Sequence, residues 1–244
     1  MNSLQSLLLD NTSGSVELTL KLNQILKETK NKEDIEIILY KVENHLKDFA
    51  SVNNYIFNIR KLLSEDKIEN LQIFFDNYEE QLLRLQEKIF ENAKPYLEKY
   101  ESFLTISNSY TIMQVLKRLN EIKRVKVVVC ESCPKLEGKI LADKLSDSKV
   151  NVKVISDAAM SIYIPKVGAV ILGADKIFNN GNIINKTGSF SAALISRYYN
   201  KPVYIIADKT KIISEENRDG NKTGSNIFFE EVPVKLITKI ITDQ

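Results

Sequence analysis

The sequence predicts an α/β protein, with an N-terminal helical subdomain over residues 1–100 and a parallel-sheet domain over residues 101–244. Three observations carry this. The first hundred residues space their apolar side chains at helical intervals and show no strand-like alternation. From Phe103 onward, short runs rich in β-branched residues alternate with helical segments of about a dozen residues. A chain of 244 residues, 43% of them hydrophobic, is long and apolar enough to bury a core under both parts.

In the helical part, Asp10, Asn11, Thr12, Ser13, Gly14 and Ser15 form a turn rich in capping side chains. A stripe of Val16, Leu20, Leu22 and Leu26 then predicts a helix. Residues 34–49 repeat the pattern through Ile35, Ile38, Leu39, Val42 and Leu46, and residues 55–63 give another helix. Residues 68–100 give a long one that Pro95 is expected to interrupt, because proline removes a backbone donor and clashes with the preceding turn. Interleaved Lys and Glu over residues 79–91 read as a solvated face.

In the second part the predicted strands are residues 103–106, 125–130, 152–155, 169–172 and 203–207. The helices between them are residues 110–121, 137–146, 158–164 and 189–199. Apolar strands separated by helices make a parallel sheet covered on both faces. A short C-terminal helix is expected over residues 234–241.

Charge and composition exclude several classes. Thirty-four basic and 32 acidic residues leave a net charge of +2, too balanced to expect direct nucleic-acid binding. The longest apolar runs are far too short to span a bilayer, and Met1 is followed by polar residues without a basic flank. No membrane association is expected, and both features point to the cytoplasm. No Walker loop and no Gly-x-Gly-x-x-Gly is present, which argues against an ATPase or a nicotinamide enzyme, and no cofactor is implied. The one histidine, His45, lies in a helical segment and is expected on a helix surface or in a packed seam, which removes histidine-based acid–base catalysis and serine triads. Cys130 and Cys133 form a lone Cys-x-x-Cys with too few further ligands for zinc, so no metal site is expected. A redox pair is the functional alternative, but no helix follows to lower a thiol pKa, and a buried Cys130 with a loop Cys133 is the simpler reading.

Ligands of open parallel sheets bind beyond the carboxyl ends of the strands, where helix N-termini present free N–H groups. That rule selects Ser107, Asn108 and Ser109 after the first strand, and residues 131–139 after the second. It also selects Ser156 and Asp157, Gly173 to Lys176, and Asn185 to Ser189, with Asp208 to Lys211 after the last predicted strand. Asn185, Lys186, Thr187 and Gly188 offer backbone donors, a hydroxyl and an ammonium at one helix start, a set suited to phosphate. Lys211 adds a cation, and Asp175 is a carboxylate suited to sugar hydroxyls or to moving a proton. Taken singly, each segment is an ordinary helix cap; together at one sheet edge they leave two readings open, a set of caps or a phosphate-type pocket.

The stretch Glu131-Ser132-Cys133-Pro134-Lys135-Leu136-Glu137-Gly138-Lys139 resembles a signature of the initiation factor 2B alpha/beta/delta family, in which Glu-Ser-Arg-Pro is followed by Glu-Gly-Arg. Residues 170–175, Asn180-Gly181, residues 184–188 and residues 203–211 continue the resemblance in the same order, and Phe229-Glu230-Glu231-Val232-Pro233 is similar to the family's closing segment. The resemblance implies a Rossmann-like sheet domain, a homodimer and one of two activities. One is that of a non-catalytic subunit acting on initiation factor 2 and sensing a phosphorylated sugar or nucleotide. The other is aldose–ketose isomerisation of a sugar phosphate of the ribose-1,5-bisphosphate or 5-methylthioribose-1-phosphate kind. The isomerases use a cysteine and an aspartate. The aspartate matches Asp175, the only candidate catalytic residue here, whereas Ser107 stands at the cysteine position. A hydroxyl is a far weaker acid than a thiol and does not replace it in proton transfer. The family's two phosphate-gripping arginines correspond to Ser13-Gly14-Ser15 and Phe49-Ala50-Ser51, which lack them. Asn185, Lys186 and Lys211 match pocket positions, so the sequence leans towards the non-catalytic activity with a reduced pocket of Ser107, Asn108, Ser109, Asp175, Asn185, Lys186 and Lys211.

Overall fold

The computed structural model describes residues 3–47, 49–64, 68–213 and 227–244. The chain divides into two compact units, Met1–Leu85 and Gln86–Gln244. No helix among the described residues is long and apolar enough to cross a membrane.

The first unit holds helices α1 (Ser3–Leu9), α2 (Ser15–Glu28), α3 (Lys32–His45), α4 (Ala50–Ser64) and the opening of α5 (Ile68–Leu97). The turn before α2 forms as its residues predict. One Asp10 carboxylate oxygen accepts from the Thr12 and Ser13 amides at 3.0 and 2.9 Å. Lys21 pairs with the other at 2.5 Å. Leu22, Leu26, Leu39, Val42, Ile56 and Ile59 make the buried stripe. Across it Tyr55 donates to Asn23 at 2.6 Å and Asn23 donates to the Phe75 carbonyl at 3.1 Å, tying α2, α4 and α5 by a satisfied buried network. His45 is exposed at the end of α3, on a helix surface and not in a packed seam.

The second unit is built on a six-stranded parallel sheet of β1 (Ser102–Thr105), β2 (Lys126–Cys130), β3 (Asn151–Ile155), β4 (Ala169–Leu172), β7 (Val203–Ile206) and β10 (Lys239–Ile241). Its order, β10-β7-β4-β1-β2-β3, is the doubly wound order of Rossmann-like domains, and the winding reverses between β1 and β4. Helices α6 (Tyr110–Ile122), α7 (Glu137–Asp147), α8 (Met160–Tyr163, flanked by 3-10 turns) and α9 (Ser189–Tyr198) connect the strands. β4 and β7 are buried at every position, as strands covered on both faces must be. A second sheet sits beside it, ordered β8-β5-β6-β9, from β5 (Lys176–Phe178), β6 (Ile183–Lys186), β8 (Ile212–Ile213) and β9 (Phe229–Val232).

Two expectations are corrected. Pro95 does not interrupt α5, which runs on to Leu97, because the residues after it are the helix's last turn and few bonds are at stake. Residues 234–241 are not a helix: a 3-10 turn, Val234–Leu236, leads into β10, whose Lys239, Ile240 and Ile241 pair with Tyr204, Ile205 and Ile206. The exposed edge of β7 offers that segment six-stranded completion, and Ile-rich sequence fits a strand better than a lone helical turn.

Candidate functional site

The site is the carboxyl edge of the parallel sheet at the reversal point. The β1–β4 register pairs Phe103 with Ala169 and Leu104 with Val170, so the segments leaving the two strands, Ser107 to Ser109 and Gly173 to Asp175, run side by side. Ser109 caps α6 through the Ile112 amide at 3.3 Å. Gly173 lets the two segments and β6 close up: a Cβ there would lie 3.1 Å from the Ser109 hydroxyl and 3.9 Å from the Asn185 side-chain oxygen. Ser109 and Asn185 are thereby brought together across a bare backbone. Asp175 is half-buried at the start of β5, its amide donating to the Ile184 carbonyl at 2.8 Å.

Ser107 is held in a left-handed conformation, φ 64°, and so is Ser132, φ 61°, in the next loop. Their loops are bonded together. The Ser107 amide donates to the Ser132 hydroxyl at 2.7 Å, and both oxygens of Asp157 accept amides, from Ser132 at 2.9 Å and Cys133 at 2.7 Å. Two non-glycine residues in this region cost on the order of 1–3 kcal/mol each, and such strain gathers where a backbone must hold one shape. Ser132 and Asp157 hold the position at which the resemblance places a catalytic group. Leu136, φ 59°, completes the loop and turns the chain into α7. Gly138 is required there, since a Cβ would stand 1.8 Å from the Cys130 carbonyl oxygen.

The backbone donors at the start of α9 and the Lys186 ammonium are met by carboxylates of the chain itself. Gly188, φ 104°, opens α9, and the Gly188 and Phe190 amides both donate to one oxygen of Glu230, at 2.6 and 2.8 Å. Lys186 pairs with Glu137 at 2.7 Å, with both side chains under a tenth exposed. The β9 strand lies antiparallel to β6, matching Asn185 to Glu230 and Lys186 to Phe229, and the Phe228 ring lies under the Lys186 ammonium at 5.2 Å. Asn185 donates to the Ser189 hydroxyl at 2.8 Å. Asn108 accepts from Lys144 of α7 at 3.3 Å. Lys211 is buried in the 3-10 turn after β7, which Asp208 caps through the Thr210 amide at 3.1 Å. Sequence reasoning picked Asn185 and Lys186 but missed Glu137 as the counter-group of Lys186 and Glu230 as the acceptor of the Gly188 and Phe190 amides. Glu137 sits in the Glu-Gly motif, yet its partner lies 49 residues on, a distance at which sequence carries no pairing signal.

The surroundings of the two cysteines argue against a redox pair. Burial, with the Asp157 and Glu131 carboxylates behind it, pushes the Cys130 thiol up to about 12. Desolvation and the same two carboxylates raise Cys133 as well, so neither offers the thiolate that exchange needs. Glu131, Cys133 and Asp157 do place three ligand atoms within 4.8 Å of one another. Because both Asp157 oxygens are already held by backbone amides, this cluster is better read as a loop staple than as a metal centre.

The initiation factor 2 subunit family model matches residues 2–224. A Pyrococcus horikoshii protein described as a putative translation initiation factor eIF-2B subunit 2-like is 32% identical over 57% of this chain and 55% of its own. A ribose 1,5-bisphosphate isomerase from Archaeoglobus fulgidus is 28% identical over 65% of this chain and 57% of its own. In these matches the chain spans a little over half the length of the curated relatives. Among solved structures, the P. horikoshii translation initiation factor eIF-2B aligns with TM-score 0.81 at 22% identity, over 99% of this chain and 94% of that one. The 5-methylthioribose 1-phosphate isomerase of the same organism aligns with TM-score 0.81 at 20% identity, over 99% and 82%. At these identities the structural likeness speaks for the fold alone. The family holds both regulatory subunits and sugar-phosphate isomerases, and with most of its length matched by the family model this chain belongs to the initiation factor 2 subunit family.

Proposed function

We propose that the protein is a non-catalytic, initiation factor 2B-like regulatory subunit that binds initiation factor 2. The observation that carries this reading is the self-filled cradle. Glu230 accepts the α9 amides that would receive a phosphate, and Glu137 neutralises Lys186. A phosphorylated sugar or nucleotide entering there has to displace two carboxylates at short, charge-assisted hydrogen bonds. It then meets Ser107 where an isomerase of the family has its cysteine. Such a pocket suits slow sensing of a ligand better than turnover.

In this reading, residues 1–100 meet initiation factor 2, and the domain over residues 101–244 carries the ligand pocket and a homodimer contact in the cytoplasm. Phe190, Leu194 and Tyr198 stand exposed on successive turns of α9, an apolar stripe of the kind a second copy would bury. The test is a binding titration of the full chain against purified initiation factor 2. A saturable complex is expected, and none at micromolar concentrations would remove this reading. The second reading, a sugar-phosphate isomerase, draws on the adjacency of Asp175 to the Ser107 segment across β1 and β4. It requires turnover of a pentose phosphate that Asp175→Asn abolishes.

A further inference from the structure

The opposite edge of the same sheet carries a second concavity. Tyr100 precedes β1, Pro202 precedes β7 and Thr238 precedes β10, so a cavity of about 490 Å³ lined by these residues opens at the amino ends of parallel strands, away from Ser107, Asp175 and Lys211. Four cations line it, Lys99, Arg197, Lys201 and Lys235, and among the described residues no acidic one does. None of the four is in an ion pair among the described residues. Its wall is aromatic: the Tyr100 and Tyr204 hydroxyls stand 3.4 Å apart and their rings 6.3 Å apart. Pro202 and Leu236 add apolar surface.

Helix ends account for part of this charge. α5 and α9 both finish at the cavity, and cations near a helix C-terminus complement its dipole of about half a negative charge. Two such ends offset roughly one of the four positive charges. Lys235 lies in the 3-10 turn Val234–Leu236, where no long helix ends. A surplus of about three charges therefore faces a cavity within the roughly 300–1,000 Å³ range of small-ligand sites.

We infer that this amino-edge cavity is a binding site for a small phosphorylated anion bearing a phosphate chain, as in a nucleoside diphosphate. The four cations receive the phosphates, and the Tyr100 and Pro202 side takes the organic part. This site is independent of the carboxyl-edge reading, because the two share no residue. A charge-matched polyphosphate is favoured over a nucleic-acid strand because the cations converge on one concavity and the chain as a whole is nearly neutral.

The experiment is calorimetric titration of the full chain with ADP and, separately, with pyrophosphate, in about 50 mM salt so that screening is modest. Saturable binding at one site per chain is expected. The Lys201→Gln, Lys235→Gln double variant weakens it at least about tenfold, and Lys211→Gln at the other edge changes it less than about twofold. Equal affinity for the two probes places the recognition in the phosphates alone, and tighter ADP binding adds the organic seat. Should the double variant fold poorly, Lys235→Gln, on an exposed side chain, is expected to weaken binding at least about threefold. Absence of saturable binding by either probe overturns the site. So does loss of binding in Lys211→Gln with the double variant unaffected, or a single-stranded RNA that outcompetes ADP.

Discussion

The two edges of one parallel sheet treat positive charge in opposite ways. At the carboxyl edge Lys186 is buried against Glu137, and the α9 amides close on Glu230. At the amino edge Lys99, Arg197, Lys201 and Lys235 face a cavity that no carboxylate among the described residues lines. The first edge is where a doubly wound sheet normally receives its ligand. The comparison teaches that the position of a site in a fold and the availability of its charges are separate properties, and that only the second is a matter of individual side chains.

The largest effect is expected from Glu137→Ala. It leaves the Lys186 ammonium buried without its partner, which costs about 3–5 kcal/mol in urea unfolding. Replacing the pair together, Glu137→Leu with Lys186→Met, is expected to cost less than the single change, because no orphan charge remains. A double variant weaker than the single one would show that the pair does more than neutralise itself. Next comes Glu230→Ala, expected to cost about 1–2 kcal/mol as two amide bonds are lost. It is also expected to make the thermal midpoint rise with added inorganic phosphate more steeply than the parent's does. If the parent responds equally, the cradle is open and the contrast between the edges fails. At the amino edge Lys235→Ala is expected to change stability by under about 0.5 kcal/mol, since nothing buried depends on it.

Away from both edges, Asp10 supplies a pH-dependent contribution. Burial alone would raise its carboxyl, but Lys21 and the Ser13 and Thr12 hydrogen bonds outweigh it and hold the group well below its ordinary 3.8. A depressed folded-state pKa contributes stability that is complete above the unfolded value and is lost as pH falls below it. The thermal midpoint of the parent is therefore expected to fall between pH 5 and pH 3 more steeply than that of Asp10→Asn. Smallest of all, iodoacetamide at neutral pH is expected to label Cys133 slowly and Cys130 only on unfolding, because burial shuts Cys130 away and raises its thiol to about 12.

Much of the fold was legible because long elements declare their period. The stripes of α2 to α5 and the apolar runs of β1, β2, β4 and β7 all lie within a few residues of where spacing predicts them. The second sheet was not, because strands of two to four residues are too short to show alternation. The last segment read as a helix since Leu236, Ile237, Ile240 and Ile241 repeat at four-residue intervals, but only Ile240 and Ile241 of these enter β10 and pair with β7, while Leu236 stays in the 3-10 turn before it. At the site, local rules located Ser107 to Ser109, Asp175, Asn185, Lys186 and Lys211 at strand ends. They could not supply Glu137 and Glu230, whose partners are set by the pairing of β6 with β9 and the approach of α7. The amino-edge cavity was invisible for the same reason: Lys99, Arg197 and Lys235 are distant in sequence and meet only through strand order.

Whether the carboxyl-edge pocket turns over a sugar phosphate is answered by following ribose 1,5-bisphosphate and 5-methylthioribose 1-phosphate by NMR with the full chain. The expected result is no conversion above the uncatalysed rate, with or without Asp175→Asn. Conversion by the parent that disappears in Asp175→Asn would contradict the account and make the protein an isomerase built on Asp175 without the cysteine.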